Sequence, residues 1–271
     1  MDFISSKVMI ISVFLLIVTS IETLAYATRI SGARVKLLAT ALSLFSTLVI
    51  VSRFSTMFQQ PLTGKLIVEA PKLHKLEVIE GQFRILIGMT SIGVLIGILL
   101  FPTFINIFSR AIVQLSNERG SVFSLFCKQL NLNGLKKIVK CVRLPRFSYL
   151  DGISLHTIPK RIFLLNILIS AVFTVGVLSS IYASILLPKD YAQSAVLSSG
   201  VINGIATILM TLFVDPKTSV LADLVMKKEV NYVYLKSYSL TMISSKFIGT
   251  IVAQVLFLPA AYYVAWFVKL L

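Results

Sequence analysis

Six stretches of the chain carry no charged residue: 8–21, 37–52, 85–109, 162–188, 191–214 and 247–268. The last four run 25, 27, 24 and 22 residues. About 20 helical residues cross a bilayer's hydrocarbon, so each of these four suffices alone. The first two have 14 and 16 residues and need extension. The first extends back through Lys7, whose stem snorkels outward, and onward through Glu22. The second extends into Arg53. The pattern predicts an all-α integral membrane protein with six transmembrane helices, the two weakest of which draw a charge into the membrane. Residues 8–18 and Ala25-Tyr26-Ala27 mimic a signal peptide, but Asp2 offsets Lys7 and no positive n-region precedes them. The first span reads as retained.

Composition agrees with that reading. Of 271 residues, 56% are hydrophobic and 14% charged, and mean hydropathy is +0.90. A soluble domain has about a quarter charged residues. Yet 26 Lys and Arg face 11 Asp and Glu, a net charge of +15. Charge and hydrocarbon coexist only if segregated along the chain. With the N-terminus outside, inner loops 22–36, 110–161 and 215–246 hold 18 of the 26 basic residues. The positive-inside rule favours that orientation, with both termini extracytoplasmic. Loop 110–161 interleaves ten basic residues with Phe123, Leu125, Phe126, Leu130, Leu132 and Leu135, a pattern suited to an amphipathic helix on anionic phospholipid. A nucleic-acid surface is the rival reading, but the flanking spans favour lipid. Segment 53–84, basic and outside, carries Pro61 and Pro71 with leucines among charges. It predicts an amphipathic interfacial helix, or a re-entrant piece.

A weak internal repeat divides the chain. Gln60-Pro61-Leu62-Thr63 resembles Asp215-Pro216-Lys217-Thr218, and Leu99-Leu100-Phe101-Pro102 resembles Leu256-Phe257-Leu258-Pro259. The expected organisation is a three-helix unit over 1–109, a basic cytoplasmic loop over 110–161 and a second three-helix unit over 162–271. An odd number of spans per unit inverts the second, as in many secondary transporters. Chance recurrence of prolines near helix ends is the alternative.

No enzyme constellation is present. His74 and His156 lie apart, Cys127 and Cys141 form no disulfide framework or zinc motif, and no P-loop or Gly-x-Ser-x-Gly occurs. No catalytic residue, metal or cofactor is expected. Polar groups at membrane depth carry more information. Arg29, Arg34 and Arg53 read either as phosphate ligands, by their forked donors, or as interfacial anchors; for Arg34 and Lys36 the anchor reading weighs more. Glu22 and Asp215 read as residues that orient an arginine or couple to protons. Asn166, Asn203 and Gln254 lie within spans. Gly93-x-x-x-Gly97 and Gly200-x-x-x-Gly204 read as helix-packing faces.

The run Ile21-Glu22-Thr23-Leu24-Ala25-Tyr26-Ala27-Thr28-Arg29, with Gly32 and Arg34, resembles the opening signature of the bacterial lipid II flippase Amj family. Ala41 to Phe45, Ser52-Arg53, Gly176 to Ser179, Ser199 to Thr207, Asp215-Pro216 and Gly249 to Gln254 continue it. The resemblance covers nearly the whole chain outside the middle of 110–161, and it brings no site residues with it. It implies a multi-pass protein of the bacterial cytoplasmic membrane. That protein would move undecaprenyl-pyrophosphate-linked peptidoglycan precursor from the inner to the outer leaflet. It implies a transporter rather than an enzyme. The alternatives are an exporter of another anionic lipid, a scaffold recruiting cell-wall enzymes through the basic loop, and an enzyme acting on a polyprenyl phosphate.

Overall fold

A computed structural model describes residues 5–71, 74–118 and 159–270. Among them are six helical spans long and apolar enough to cross a membrane. Helix α1 (Ser6–Val35) is capped by the Ser5 hydroxyl, which accepts from the Val8 amide at 3.3 Å. It ends at Lys36, whose φ of 59° places it in the left-handed cap conformation. Helices α2 (Leu38–Glu69) and α3 (Lys75–Asn117) complete the first half. The second half has α4 (Lys160–Leu186), α5 (Lys189–Leu209), a π-turn (Met210–Val214), α6 (Asp215–Met226) and α7 (Tyr232–Leu270). α5, the π-turn and α6 together form the fifth span. The two short charge-free runs are rescued as expected: α1 continues through Glu22 and α2 through Arg53.

Segment 53–84 departs from the expectation of an interfacial helix. α2 runs on to Glu69 with Pro61 inside it, and α3 begins at Lys75. Ser52, Gln59, Thr63 and Leu66 are buried along one stripe of α2, whereas Ile50, Phe54, Met57, Phe58 and Leu62 are exposed. Those intervals keep the polar side chains on one helical face. That face points into the protein and the apolar one outward, the reverse of a soluble helix. The expected amphipathic helix of loop 110–161 falls mostly on residues 119–158, outside the described residues.

Contact order gives the helix directions. Along α1 and α3, Ser20 donates to the Gly93 carbonyl and Ser31 to the Ile105 carbonyl, so these helices are parallel. Along α4 and α7, Asn166 meets Ser245, and a Cβ on Gly249 would sit 2.6 Å from the Ser170 Cβ, so these too are parallel. Between α3 and α7 the order reverses: Arg84 meets Gln254 and Ser91 meets Thr250. α2 and α5 are likewise antiparallel, through Arg53 with Thr207 and Gln60 with Ser199. The second set of helices thus runs opposite to the first.

Two large apolar cores lie at different depths. One gathers residues 24–33 of α1, 94–115 of α3 and 235–243 of α7; the other gathers 8–15 of α1, 79–87 of α3 and 253–261 of α7. Tyr262, Tyr263 and Trp266 are exposed near the end of α7, as in an interfacial aromatic belt. Most of the mid-depth polar groups fall between the two cores.

Candidate functional site

Glu22 stands midway along α1, with Thr19, Ser20 and Thr23 around it. Those hydroxyls are satisfied within the protein: Thr19 and Thr23 bond to carbonyls one turn back, and Ser20 reaches both Leu16 and Gly93. The Glu22 carboxylate points elsewhere and bridges two helices. Its Oε1 accepts from Ser52 of α2 at 2.6 Å, and its Oε2 accepts from Lys246 of α7 at 2.9 Å. Charge-assisted bonds of this kind are the strong ones. Asn166 of α4 braces the same level of α7, donating to the Met242 carbonyl at 3.0 Å and to Ser245 at 2.6 Å.

Arg53 follows Ser52 on α2. Its guanidinium carbon lies 3.8 Å from the centre of the Phe173 ring of α4, and one nitrogen donates to Thr207 of α5 at 3.2 Å. No carboxylate of the described residues lies within ion-pair distance of it, and its buried Nε has no partner. Stacking holds the cation in place and leaves donors free.

Glu22, Arg53 and Lys246 line one cavity of about 360 Å³ at the centre of the bundle. All six spans contribute to it, among them Gln59 and Gln60 of α2, Asn166, Phe173 and Val177 of α4, and Asn203 and Thr207 of α5. The lining mixes apolar walls with a few convergent polar groups, the usual make-up of a ligand site. Among the described residues no group of three or more His, Cys, Asp or Glu could hold a metal.

The structure therefore divides the five residues singled out in the sequence. Glu22 and Arg53 come together in the cavity. Arg29 and Asp215 pair with each other at 2.7 Å outside the cavity lining, with Arg29 buried and its guanidinium 4.0 Å from the Phe45 ring. Arg34 lies exposed near the end of α1 and donates to Asn106 at 2.9 Å. Lys246 closes the charged stretch 215–246 that reads as a loop in the sequence, and the structure places it inside α7. The signal was there: residues 232–245 hold one charge, Lys236, and extend the sixth span backward until Lys246 is internal. Gly93 and Gly97 are packing positions as expected, since a Cβ on Gly97 would come 2.7 Å from the Thr23 Cβ. Gly200 and Gly204 are not close-packed. A Cβ on either meets nothing within 4 Å, and both line the cavity.

Comparison with known proteins agrees with the resemblance seen in the sequence. The chain is 51% identical over 269 residues to the lipid II flippase Amj of Bacillus subtilis (strain 168), covering 99% of each protein. No solved structure matches. The model of the family described as "Amj: Alternate to MurJ" matches residues 14–268, and the chain belongs to that family.

Proposed function

We infer that this multi-pass membrane protein is a lipid II flippase. It carries undecaprenyl-pyrophosphate-linked peptidoglycan precursor from the inner to the outer leaflet of the bacterial cytoplasmic membrane. It works as a transporter rather than an enzyme. A near-full-length relative at 51% identity supports the substrate class. The observation that carries the mechanism is Arg53, a stacked cation in a central cavity with an unpartnered Nε and, among the described residues, no carboxylate within ion-pair distance. A pyrophosphate is what such a group binds, since a fixed guanidinium fork matches phosphate oxygens.

A flippase must pass a polar head through the bilayer while its tail stays in hydrocarbon. The seam between α2 and α5 suits that task. Its walls include Met57, Gly200 and Gly204, and the side-chain bridges Arg53–Thr207 and Gln60–Ser199 cross it. Apolar side chains such as Phe54, Phe58, Val201 and Ile205 face outward on both helices. Parting the seam admits a head group sideways, and the opposed helix directions support two inverted three-helix units that open in turn. The basic sequence between α3 and α4 belongs on the cytoplasmic side, where its charge suits anionic phospholipid, with both termini outside.

Complementation tests the reading. The wild-type gene should rescue cells depleted of their essential lipid II flippase, with labelled precursor appearing in the outer leaflet. Arg53→Ala, at equal membrane abundance, should lose at least about tenfold in transport, the scale of a lost charge-assisted contact. Normal transport by Arg53→Ala would remove the cavity from the mechanism.

A further inference from the structure

Among the described residues, three charged side chains line the cavity: Glu22, Arg53 and Lys246. Two are cations, and one of those is already occupied. Lys246 donates to Glu22 at 2.9 Å, and the Ser52 hydroxyl holds the other carboxylate oxygen at 2.6 Å. The pair is mostly but not fully enclosed, with 13% of the Lys246 side chain and 28% of the Glu22 side chain exposed. Asn166 donates to the Met242 carbonyl one turn before Lys246 and braces that turn of α7.

We propose that Lys246 is a second ligand for the pyrophosphate, and that Glu22 is a resident anion that holds Lys246 when the head is absent and takes it back at release. The proposal rests on the flippase reading. Each phosphate of a diesterified pyrophosphate is anionic, so entry of the head places three anionic groups against two cations. Glu22 is the weaker competitor, because it offers one charge against two linked phosphates. Lys246 is a compact charge on a four-carbon stem and turns readily from one oxygen to another, whereas Arg53 is pinned by Phe173 and Thr207. The exchange also has a structural consequence. Lys246 belongs to α7 and Glu22 to α1, so moving the lysine onto the substrate unties a link between the two halves of the protein.

Glu22 therefore opposes binding and assists release. A site that bound the head with both cations and no competing anion would hold it too tightly to turn over. This assignment predicts a split that a merely structural glutamate would not give. Glu22→Gln removes the charge and keeps one acceptor oxygen, which can serve Lys246, while its new amide N–H can donate to the Ser52 hydroxyl oxygen. In the full-length protein, in nanodiscs of zwitterionic lipid, it should bind lipid II roughly tenfold more tightly, as expected for removing one nearby like charge. In proteoliposomes the same variant should transport more slowly than wild type. Lys246→Gln should bind roughly tenfold more weakly. Thermal unfolding of each variant checks that the fold is kept; should Glu22→Gln not accumulate, Lys246→Gln decides alone. Binding by Glu22→Gln that is unchanged or weaker overturns the proposal, as does unchanged binding by Lys246→Gln. Arg53→Ala separates the two levels. If it loses lipid II while Glu22→Gln gains nothing, the exchange fails and the flippase cavity stands. If Arg53→Ala binds as wild type, the cavity reading itself falls.

Discussion

Among the described residues, two ion pairs tie α1 to the second half of the chain, and their surroundings differ. Glu22 and Lys246 meet on the wall of the central cavity, and Glu22 also accepts from Ser52. Arg29 and Asp215 meet outside that lining, where the Arg29 side chain is 2% exposed and its Nε and one Nη have no other partner. The first pair can exchange partners, because a ligand can reach it. The second compensates a buried guanidinium with the Asp215 carboxylate and the face of Phe45. Asp215 also follows directly on the π-turn of the fifth span, and such turns recur at functional positions in helices. On the proposed exchange, similar chemistry in two settings would serve two ends, partner exchange at the cavity wall and cohesion away from it.

Breaking the cohesive pair should have the largest effect on stability. Asp215→Ala leaves Arg29 charged and buried, and removing one partner of a buried pair costs about 3–5 kcal/mol. The expected result is a strong fall in membrane abundance and in detergent-solubilised thermal stability. Asp215→Asn, which retains an acceptor, should fall less. Glu22→Gln also removes the counter-charge of a mostly enclosed Lys246, but beside a cavity, so it should lose less stability than Asp215→Ala by the same assay. If Glu22→Gln proved the more destabilising of the two, the contrast between the pairs would be inverted.

The division was only partly legible in the sequence. Six spans followed from charge-free runs, and the need to draw Glu22 and Arg53 inward followed from the shortness of two of them. What the runs could not show was which face of a helix looks inward. Segment 53–69 has charges and a proline at intervals that suit a helix on a membrane surface, yet Gln59 and Thr63 are buried and Phe54 and Phe58 exposed. In hydrocarbon an amphipathic pattern has no fixed sense, because lipid rather than water lies outside. A boundary drawn at a charge also hides any charge that belongs inside, as with Lys246 in the seventh helix. Arg29 and Arg53 look alike in sequence. Only the partner 186 positions away separates them.

A smaller test sharpens the same contrast on the backbone. Gly249 of α7 faces α4 so closely that a Cβ would lie 2.6 Å from the Ser170 Cβ and 2.7 Å from the Ile167 carbonyl oxygen. The backbone atom cannot turn away, so Gly249→Ala must push the two helices apart. Overpacking of this kind costs about 1–3 kcal/mol, and thermal unfolding should show it. Gly204 faces the cavity, where a new Cβ meets nothing within 4 Å. Gly204→Ala should gain slightly from helix propensity, by up to about 1 kcal/mol. Equal losses for the two alanines would mean that α5 packs as tightly as α7.

Arg34 gives the smallest expected effect and fixes the lower end of the scale. It shares the guanidinium of Arg29 and Arg53 but lies exposed near the end of α1, and its contact is with the neutral Asn106. Water solvates such a side chain whether or not the asparagine is present, so Arg34→Ala should change stability by no more than about 0.5 kcal/mol. Transport should remain near wild type, because Arg34 lies outside the cavity lining. A deep loss of transport at normal abundance would place a second anion contact at the end of α1. The three arginines would then mark successive positions along the path of the head group, rather than one working cation, one structural cation and one solvated one.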